Sequence, residues 1–382
     1  MPLDLLIRNA RLPRQERLTD IGIQDGVFTR IAPHVRAAAT EELDAGGRLV
    51  SPPLVDCHVH LDAVLTVGQP RHNATGTLLE GIQIWSERKP SLTHEDVKQR
   101  ATEAIKWEVA QGTLFIRSHV DVCDPNLTAL RALIEVQREV VDICELQLVA
   151  FPQDGILSFP NGKELMDEAM RLGANVVGGI PHHEWTREMG VEDVHYAFEL
   201  ARRYNRDVDC HCDETDDAHS RFTEVMAADA LQQGWEGRAT VSHCTAMHSW
   251  DNAYAFKAMR LLARGRLNVI CNPYDNITLQ GRFDSYPKRR GMARLKELLL
   301  EVWPQIRSSP ATLILLNGAW SAAPEIHGEV LHLARNHHVV LADVRTPDLR
   351  SLAEKIKSPG HVITLAGNAE PERRIRLEVA AV

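Results

Sequence analysis

Two histidines separated by a single residue, His58 and His60, lie in the stretch VDCHVHLD at residues 55–62. If this stretch is a strand, side chains at positions i and i+2 point to the same face, so both imidazoles project together. Neutral imidazole is the commonest side-chain ligand for metal ions in proteins. A pair of strand histidines hydrogen-bonded in a polar core would share this spacing, so the residues elsewhere in the chain have to decide between the two interpretations.

Further histidines follow other predicted strands. His211 lies in VDCHCDE and His243 lies in TVSHC, both after apolar residues typical of buried strands. In a barrel of parallel strands the catalytic groups lie at the carboxyl ends of the strands, where side chains far apart in sequence meet. We therefore predict a metal site with His58, His60 and His211 as ligands. Three protein ligands leave a position for water, whose pKa a bound metal lowers towards neutrality.

Three other polar residues near the predicted site have chemistry that suits hydrolysis. Glu214, on the turn after His211, is placed to take a proton and return it to a leaving nitrogen. His243 is either a further ligand or a neutral hydrogen-bond donor. Gln153, in FPQDG, presents an amide that complements the N–C=O edge of a nucleobase. Taken alone, Glu214 and Gln153 would each also fit a polar loop.

The elements that would position these residues alternate between strands and helices after residue 54. The predicted strands cover residues 55–60, 113–122, 145–151, 175–180, 207–213, 239–244 and 267–273. Predicted helices lie between them, and one begins after a capping box at Thr93 and Asp96 and stops at Gly112. Seven strand–helix units in series predict an α/β fold of the (β/α)8 TIM-barrel type.

The segments before and after the barrel have different patterns. Residues 1–53 contain short β-rich runs, a turn at Asp25-Gly26 and a Ser51-Pro52-Pro53 breaker, which together predict a small β-rich layer. We assign residues 54–320 to a metal-dependent hydrolase barrel. Residues 321–382 form an atypical C-terminal tail that could complete the barrel and the β layer.

Longer motifs resemble a known family. The stretches SPPLVDCHVHLD, VAFPQDGILSFPNG, DCHCDETDD, SHCTAMHS and NITLQGRFDSYPKRRG look like those of the amidohydrolase superfamily. Within it, residues 1 to about 300 resemble the bacterial cytosine deaminases. The resemblance implies one divalent metal ion, Fe²⁺ or Zn²⁺, held by His58, His60, His211 and an aspartate after strand eight.

The same resemblance implies roles for the other polar residues. Glu214 matches the glutamate that shuttles protons, His243 the histidine beside the attacking hydroxide, and Gln153 the glutamine that reads the pyrimidine. The implied reaction is hydrolytic deamination of cytosine, or of a close heterocycle such as isocytosine, to uracil and ammonia. The expected partner is therefore a small-molecule nucleobase.

The C-terminal region departs from the family pattern. The family ends strand eight with a Gly-His-Asp-Asp stretch followed by Trp, and this chain has no such stretch. Two substitutes for the missing ligand exist: Asn317 ends an apolar run before Trp320, and Asp343 ends VVLAD. Three alternatives follow: a catalytically impaired or binding-only relative, an enzyme acting on another cyclic amidine such as creatinine, isoguanine or a triazine, and a scaffold barrel.

Composition narrows the class of protein further. The formal charge of −9 argues against a nucleic-acid partner, which favours a basic face. The chain contains no run of 18 apolar residues, so we expect no membrane span. Seven scattered cysteines and an N-terminus without a long apolar segment suggest reduced thiols and a cytoplasmic location. Barrels of this kind often associate, so a homo-oligomer is compatible with the sequence.

Overall fold

The computed structural model describes residues 2–298 apart from 14, 287, 289 and 290, and the backbone of three short strands at 314–317, 341–342 and 363–364. Most of the tail predicted at 321–382 lies outside the described residues, and so does Asp343. Two main sheets organise the described part of the chain. One has four strands and comes from the N-terminus, and the other has nine parallel strands.

The N-terminal sheet has the spatial order β3-β2-β1-β4. Its strands are β1 (Leu3–Ala10), β2 (Thr19–Gln24), β3 (Val27–Ala32) and β4 (Ala39–Asp44), and a short strand β5 (Val50–Ser51) follows them. β2 is antiparallel to β1 and β3, and β4 pairs with β1 in parallel. Asp25 and Gly26 form the β2–β3 turn with φ values of 52° and 70°, the geometry that suits a two-residue hairpin. A small N-terminal β layer is therefore present, as predicted.

The parallel sheet follows the chain order from its first strand to its last. Its strands are β6 (Leu54–Val59), β7 (Thr113–Asp121), β8 (Glu145–Phe151), β9 (Val176–Gly179), β10 (Asp207–Cys212), β11 (Ala239–His243), β12 (Asn268–Cys271), β13 (Ile314–Asn317) and β14 (Leu341–Ala342). β14 lies beside β6, which brings the two ends of the sheet together. The (β/α)8-type barrel predicted from the alternating pattern is confirmed, with β14 as an additional short strand. A final strand, β15 (Ile363–Thr364), pairs in parallel with β5.

Helices connect the barrel strands and cover the sheet. They are α1 (Leu78–Arg88), α2 (His94–Ala110), α3 (Thr128–Glu139), α4 (Gly162–Leu172), α5 (Arg187–Tyr204), α6 (Phe222–Gln233), α7 (Asn252–Gly265), α8 (Pro273–Leu279) and α9 (Leu295–Glu297). The hydroxyl of Thr93 accepts the Asp96 backbone N–H at 3.1 Å, so α2 begins at the predicted cap. No helix in the described ranges combines the length and apolar character that crossing a bilayer requires.

The main hydrophobic core lies between the barrel strands and these helices. Leu133 of α3, Phe198 of α5 and Leu148 of β8 are buried, as are Met226 of α6 and Val241 of β11. Parallel strands covered by helices are buried on both faces, which explains their nearly continuous apolar runs. This packing gives the strand ends, where the polar residues lie, a rigid support.

Candidate metal centre and substrate cavity

Histidines from three barrel strands meet at the carboxyl ends of those strands. His58 lies on β6 and His60 directly follows it, His211 lies on β10, and His243 is the last residue of β11. The ring centre of His58 is 4.6 Å from that of His211, and the ring centre of His60 is 5.2 Å from that of His211. The structure thus brings together the three histidines predicted as ligands, with His243 beside them.

The nitrogen atoms of these imidazoles approach one another in pairs. His60 Nε2 lies 3.2 Å from His211 Nε2, and His58 Nε2 lies 3.1 Å from His243 Nε2. Two nitrogen ligands that each lie about 2.0–2.1 Å from one ion are themselves separated by about 3 Å. Each of these two pairs therefore has a spacing compatible with two ligands of one divalent metal ion.

Burial favours the neutral forms of His58, His60 and His211. Burial lowers the pKa of His60 to about 3 and lowers the pKa of both His58 and His211 well below the ordinary value. The neighbouring imidazoles add to this effect, because protonating one would disfavour protonating the next. Neutral imidazole is the form that binds a metal, so this cluster is suited to a metal ion.

A fifth imidazole, His119 on β7, belongs to the same cluster and was not predicted from the sequence. Its side chain is fully buried, and its ring centre lies 4.1 Å from that of His58 and 4.8 Å from that of His211. One ligand atom from each of these three residues lies within 4.8 Å of the others. The sequence contains a pattern that could have indicated it. His119 and Asp121 are separated by one residue, as His58 and His60 are.

A buried carboxylate, Asp209 on β10, supports His119. Asp209 Oδ2 pairs with Arg117 Nη1 at 2.7 Å, and Asp209 Oδ1 accepts from Ser242 Oγ at 2.8 Å and lies 3.5 Å from His119 Nε2. Burial alone would raise the pKa of Asp209, but His119 and Arg117 lower it to about 2. A charged carboxylate therefore lies next to the histidine cluster, close to the ring of His119.

Glu214 and His243 form a second group that contacts the cluster. His243 Nδ1 lies 3.0 Å from Glu214 Oε1, and Asn276 Nδ2 donates to the same oxygen at 3.1 Å. Burial alone would raise the pKa of Glu214 and lower that of His243, but attraction between the two groups reverses both shifts. The contact therefore favours an ionised Glu214 carboxylate beside the His243 imidazole, whose Nε2 lies 3.1 Å from His58 Nε2.

Asp213 fixes the turn that presents Glu214. This buried carboxylate accepts hydrogen bonds from Ser220 Oγ at 2.7 Å, from Phe222 N at 2.9 Å and from Thr223 N and Oγ1 at 2.9 and 2.6 Å. Its backbone has a positive φ of 55°, which aspartate tolerates better than most residues. The turn after β10 is thus attached to the start of α6. This attachment fixes the backbone that carries Glu214.

A cavity of about 510 Å³ lies at the carboxyl ends of the strands, and its polar lining includes His58, His60, His211, Glu214 and His243. Leu78, Ile82 and Trp85 of α1 supply an apolar part of its lining, and Gln153 lines it from the turn after β8. Small-molecule sites typically combine an apolar lining with a few placed polar groups. The predicted substrate-binding residue Gln153 therefore shares one cavity with the histidine cluster and with Glu214.

The barrel, its strand-end histidines and the cavity together allow a comparison with known proteins. The sequence model of the amidohydrolase family matches residues 41–307, which is more than half of the chain. This chain belongs to the amidohydrolase family. Members are metal-dependent, which agrees with the donor set at the strand ends.

Within the amidohydrolases, several characterised proteins are similar to this chain. One solved structure is that of 5-methylcytosine deaminase from Klebsiella pneumoniae liganded with 5-fluorocytosine, whose sequence is 49% identical to this chain. The two structures superpose with a TM-score of 0.76 over 81% of this chain and 74% of that one. N-isopropylammelide isopropyl amidohydrolase from Pseudomonas sp. (strain ADP) is 31% identical over 250 residues, covering 63% of this chain and 60% of the relative. Pterin deaminase from Rhizobium rhizogenes is 28% identical over 284 residues, covering 73% of this chain and 64% of the relative. The chain thus spans less than two thirds of the length of these last two relatives.

The eighth barrel strand of this amidohydrolase lacks an acid at its end. β13 ends at Asn317, and residues 318–321 are Gly-Ala-Trp-Ser. Asp343 directly follows β14 in the sequence but lies outside the described residues. A ligand role for either residue therefore stays a prediction.

Proposed function

We propose that this amidohydrolase catalyses the metal-dependent hydrolytic deamination of cytosine, or of a close heterocycle such as isocytosine, to uracil and ammonia. The observation that carries the proposal is the meeting of His58, His60 and His211 with the Glu214–His243 pair in one cavity. The 49% identity to a deaminase structure that contains 5-fluorocytosine supports a pyrimidine substrate.

His58, His60 and His211 would hold one divalent ion, Fe²⁺ or Zn²⁺. Their neutral forms and the 3.2 Å between two of their nitrogen atoms suit either ion, because imidazole is a good ligand for both. Such an ion, when bound, lowers the pKa of water and so supplies a nucleophile near neutral pH. The protein's part is to fix the donor atoms in place, which the strand ends do.

Glu214 is the proposed proton carrier. Its Oε1 is fixed by His243 Nδ1 at 3.0 Å and by Asn276 Nδ2 at 3.1 Å, so the carboxylate keeps one orientation in the cavity. It takes a proton from the attacking water and delivers it to the exocyclic nitrogen, which leaves as ammonia. His243 stabilises the ionised form of Glu214 before the carboxylate takes this proton and again after it has delivered the proton. General acid–base catalysis of this kind typically contributes about 10²- to 10⁴-fold to the rate.

Gln153 is the proposed reader of the heterocycle. Its side-chain amide offers both a donor and an acceptor, which match an N–C=O edge of a pyrimidine. Ile82 and Trp85 line the same cavity and provide an apolar surface for a flat ring. These groups orient the ring so that the carbon bearing the amino group faces Glu214 and the histidines.

The proposal is tested by measuring ammonia release from a panel of bases after loading the protein with Fe(II) or Zn(II). The panel contains cytosine, 5-methylcytosine, isocytosine, isoguanine, creatinine and an amino-triazine, since pocket shape decides among such substrates. We expect release from cytosine or isocytosine that depends on the added metal. Release from creatinine or the triazine alone would move the substrate to another cyclic amidine.

A second candidate function is binding of a pyrimidine without turnover. The observation that favours it is the Asn317 end of β13, because a neutral amide is a poor metal ligand and a poor proton acceptor. Calorimetric titration with cytosine separates the two functions. Saturable binding with no ammonia at full metal loading would support the binding-only function and exclude the deaminase.

A further inference from the structure

Lys89 lies in a buried position between two carboxylates next to the proposed substrate-binding residue. It begins the short 3₁₀ turn that follows α1, and its side chain is 10% exposed. Lys89 Nζ lies 2.9 Å from Asp121 Oδ2 and also donates to the carboxylate of Asp154. Asp121 ends β7, and Asp154 is the residue after Gln153 in the turn that follows β8. One ammonium group therefore joins three separate segments of the chain.

Each of the two carboxylates also bonds to α1. Asp121 Oδ2 accepts the indole N–H of Trp85 at 2.7 Å, and Asp154 Oδ1 accepts the hydroxyl of Ser86 at 3.0 Å. The helix that supplies the apolar lining is thus attached at consecutive residues to the ends of two barrel strands. Lys89 lies at the centre of these contacts.

Lys89 compensates the charge of the two carboxylates in this group. Asp121 is 3% exposed, and a carboxylate this deeply buried is unfavourable unless a positive charge compensates it. Burial alone would lower the pKa of Lys89, but Asp121 and Asp154 raise it above its ordinary value. Without the ammonium group, the two carboxylates would repel each other and the contacts between α1 and the strand ends would loosen.

The group also borders the cavity directly. Trp85, Asp121 and Gln153 all line it, whereas Lys89 and Asp154 lie behind them. The backbone N–H of Asp154 donates to Cys123 Sγ at 3.3 Å. The turn that carries Gln153 is therefore also attached to the segment that follows β7. Lys89 thus contacts both Asp121, which bonds to Trp85, and Asp154, the residue that follows Gln153.

We propose that Lys89 is a positioning residue for recognition of the heterocycle. Through Asp154 and Asp121 it fixes Gln153 and Trp85 relative to each other, so that the amide and the aromatic ring face one bound base together. This inference rests on the proposed function for its substrate, a planar base with an N–C=O edge. Lys89 does not touch the metal donors, so it governs substrate binding and leaves the chemical step to Glu214 and His243.

The test is a comparison of Lys89→Met with Lys98→Met. Lys98 is a matched control because it pairs with Glu135 and Glu139 at 2.5 and 2.7 Å on the outer surface, between α2 and α3. For Lys89→Met we expect the KM for cytosine to rise about tenfold or more while kcat changes less than about threefold, since misplaced binding groups weaken uniform binding. Metal content should equal that of wild type, and Lys98→Met should leave all three quantities unchanged.

Hydrogen–deuterium exchange gives a readout that does not depend on turnover. In Lys89→Met we expect faster amide exchange at residues 78–91 and 152–156 than in wild type or Lys98→Met. If exchange rises while no protein of the set releases ammonia, the positioning role stands and the proposed function fails. Unchanged exchange together with an unchanged KM would overturn the positioning role, whatever the wild-type activity.

A milder variant covers the case in which Lys89→Met does not fold. Ser86→Ala removes only the hydroxyl that donates to Asp154 Oδ1 and leaves the charged contacts in place. We expect a smaller rise in KM in the same direction, again without loss of metal. A fall in kcat and in metal content with an unaltered KM would contradict the inference.

Discussion

His60 Nε2 and His211 Nε2 lie 3.2 Å apart although 151 positions separate the two residues in the chain. They are brought together because β6 and β10 belong to one parallel sheet of the barrel, whose strands all have their carboxyl ends on the same side. Burial lowers the pKa of both imidazoles and so favours their neutral forms. Two neutral imidazoles at this distance can share a hydrogen bond, and they are also in the form that binds a divalent ion.

Replacing a proposed ligand should release the metal. In His211→Ala we expect the affinity for the metal to fall by more than the roughly 10- to 100-fold that loss of a supporting partner costs. The protein should therefore retain less metal after dialysis than wild type does. Elemental analysis of dialysed protein measures this. His195→Ala is the control, because His195 is a surface residue of α5 paired with Asp229. Equal metal content in His211→Ala and wild type would exclude His211 as a ligand.

Replacing the proposed proton carrier should separate metal binding from turnover. Glu214→Gln keeps the shape and the contact with Asn276 but cannot carry a proton, so we expect kcat to fall by about 10²- to 10⁴-fold with metal content unchanged. Steady-state ammonia release checks this. Glu192→Gln, on the exposed face of α5, should behave as wild type. Ammonia release at the wild-type rate in Glu214→Gln would end the assignment.

Shortening the amide at the cavity should weaken binding of the base. In Gln153→Ala we expect the KM for cytosine to rise by about tenfold or more, because a lost donor–acceptor pair leaves the edge of the base unpaired. Initial-rate kinetics over a range of cytosine concentrations measures this, and Gln232→Ala on the exposed side of α6 is the control. A KM equal to that of wild type would show that Gln153 does not contact the substrate.

Asp213 should be important for stability. Asp213→Asn replaces an acceptor of four hydrogen bonds with a group that must point an N–H at one of the existing donors. We expect the free energy of unfolding to fall by about 2–4 kcal/mol, since a buried donor left without an acceptor costs about 1–3 kcal/mol. Urea denaturation measures it. The exposed Asp217→Asn should change stability by less than about 0.5 kcal/mol, and an equal effect of both variants would contradict this role.

The sequence predicted the barrel and the meeting of His58, His60 and His211 because both depend on local pattern. Alternating strands and helices define a parallel barrel, and residues at the carboxyl ends of its strands are then neighbours. His119 could have been found by the same rule, since it precedes the end of β7 by two residues. A single histidine in a strand does not by itself indicate a metal site, because a hydrogen-bonded core histidine has the same pattern.

Other parts of the site could not be predicted, because they depend on pairings between distant residues. Arg117 and Asp209 are 92 positions apart, and Lys89 and Asp154 are 65 apart, so no local pattern indicates that they meet. Asn276 follows β12 in NPYDN, a polar stretch that could equally be an exposed turn. Such contacts become visible only when the barrel fixes which strand ends face one another.

The most direct test of the central claim is deamination of cytosine in ¹⁸O-labelled water, with and without added Fe(II) or Zn(II). If water attacks the ring carbon that bears the amino group, the uracil formed should carry one ¹⁸O atom and be accompanied by one equivalent of ammonia. This product should require the metal and should be absent with Glu214→Gln. Ammonia released without incorporation of ¹⁸O, or at the same rate in metal-free protein, would contradict a metal-dependent hydrolytic deaminase.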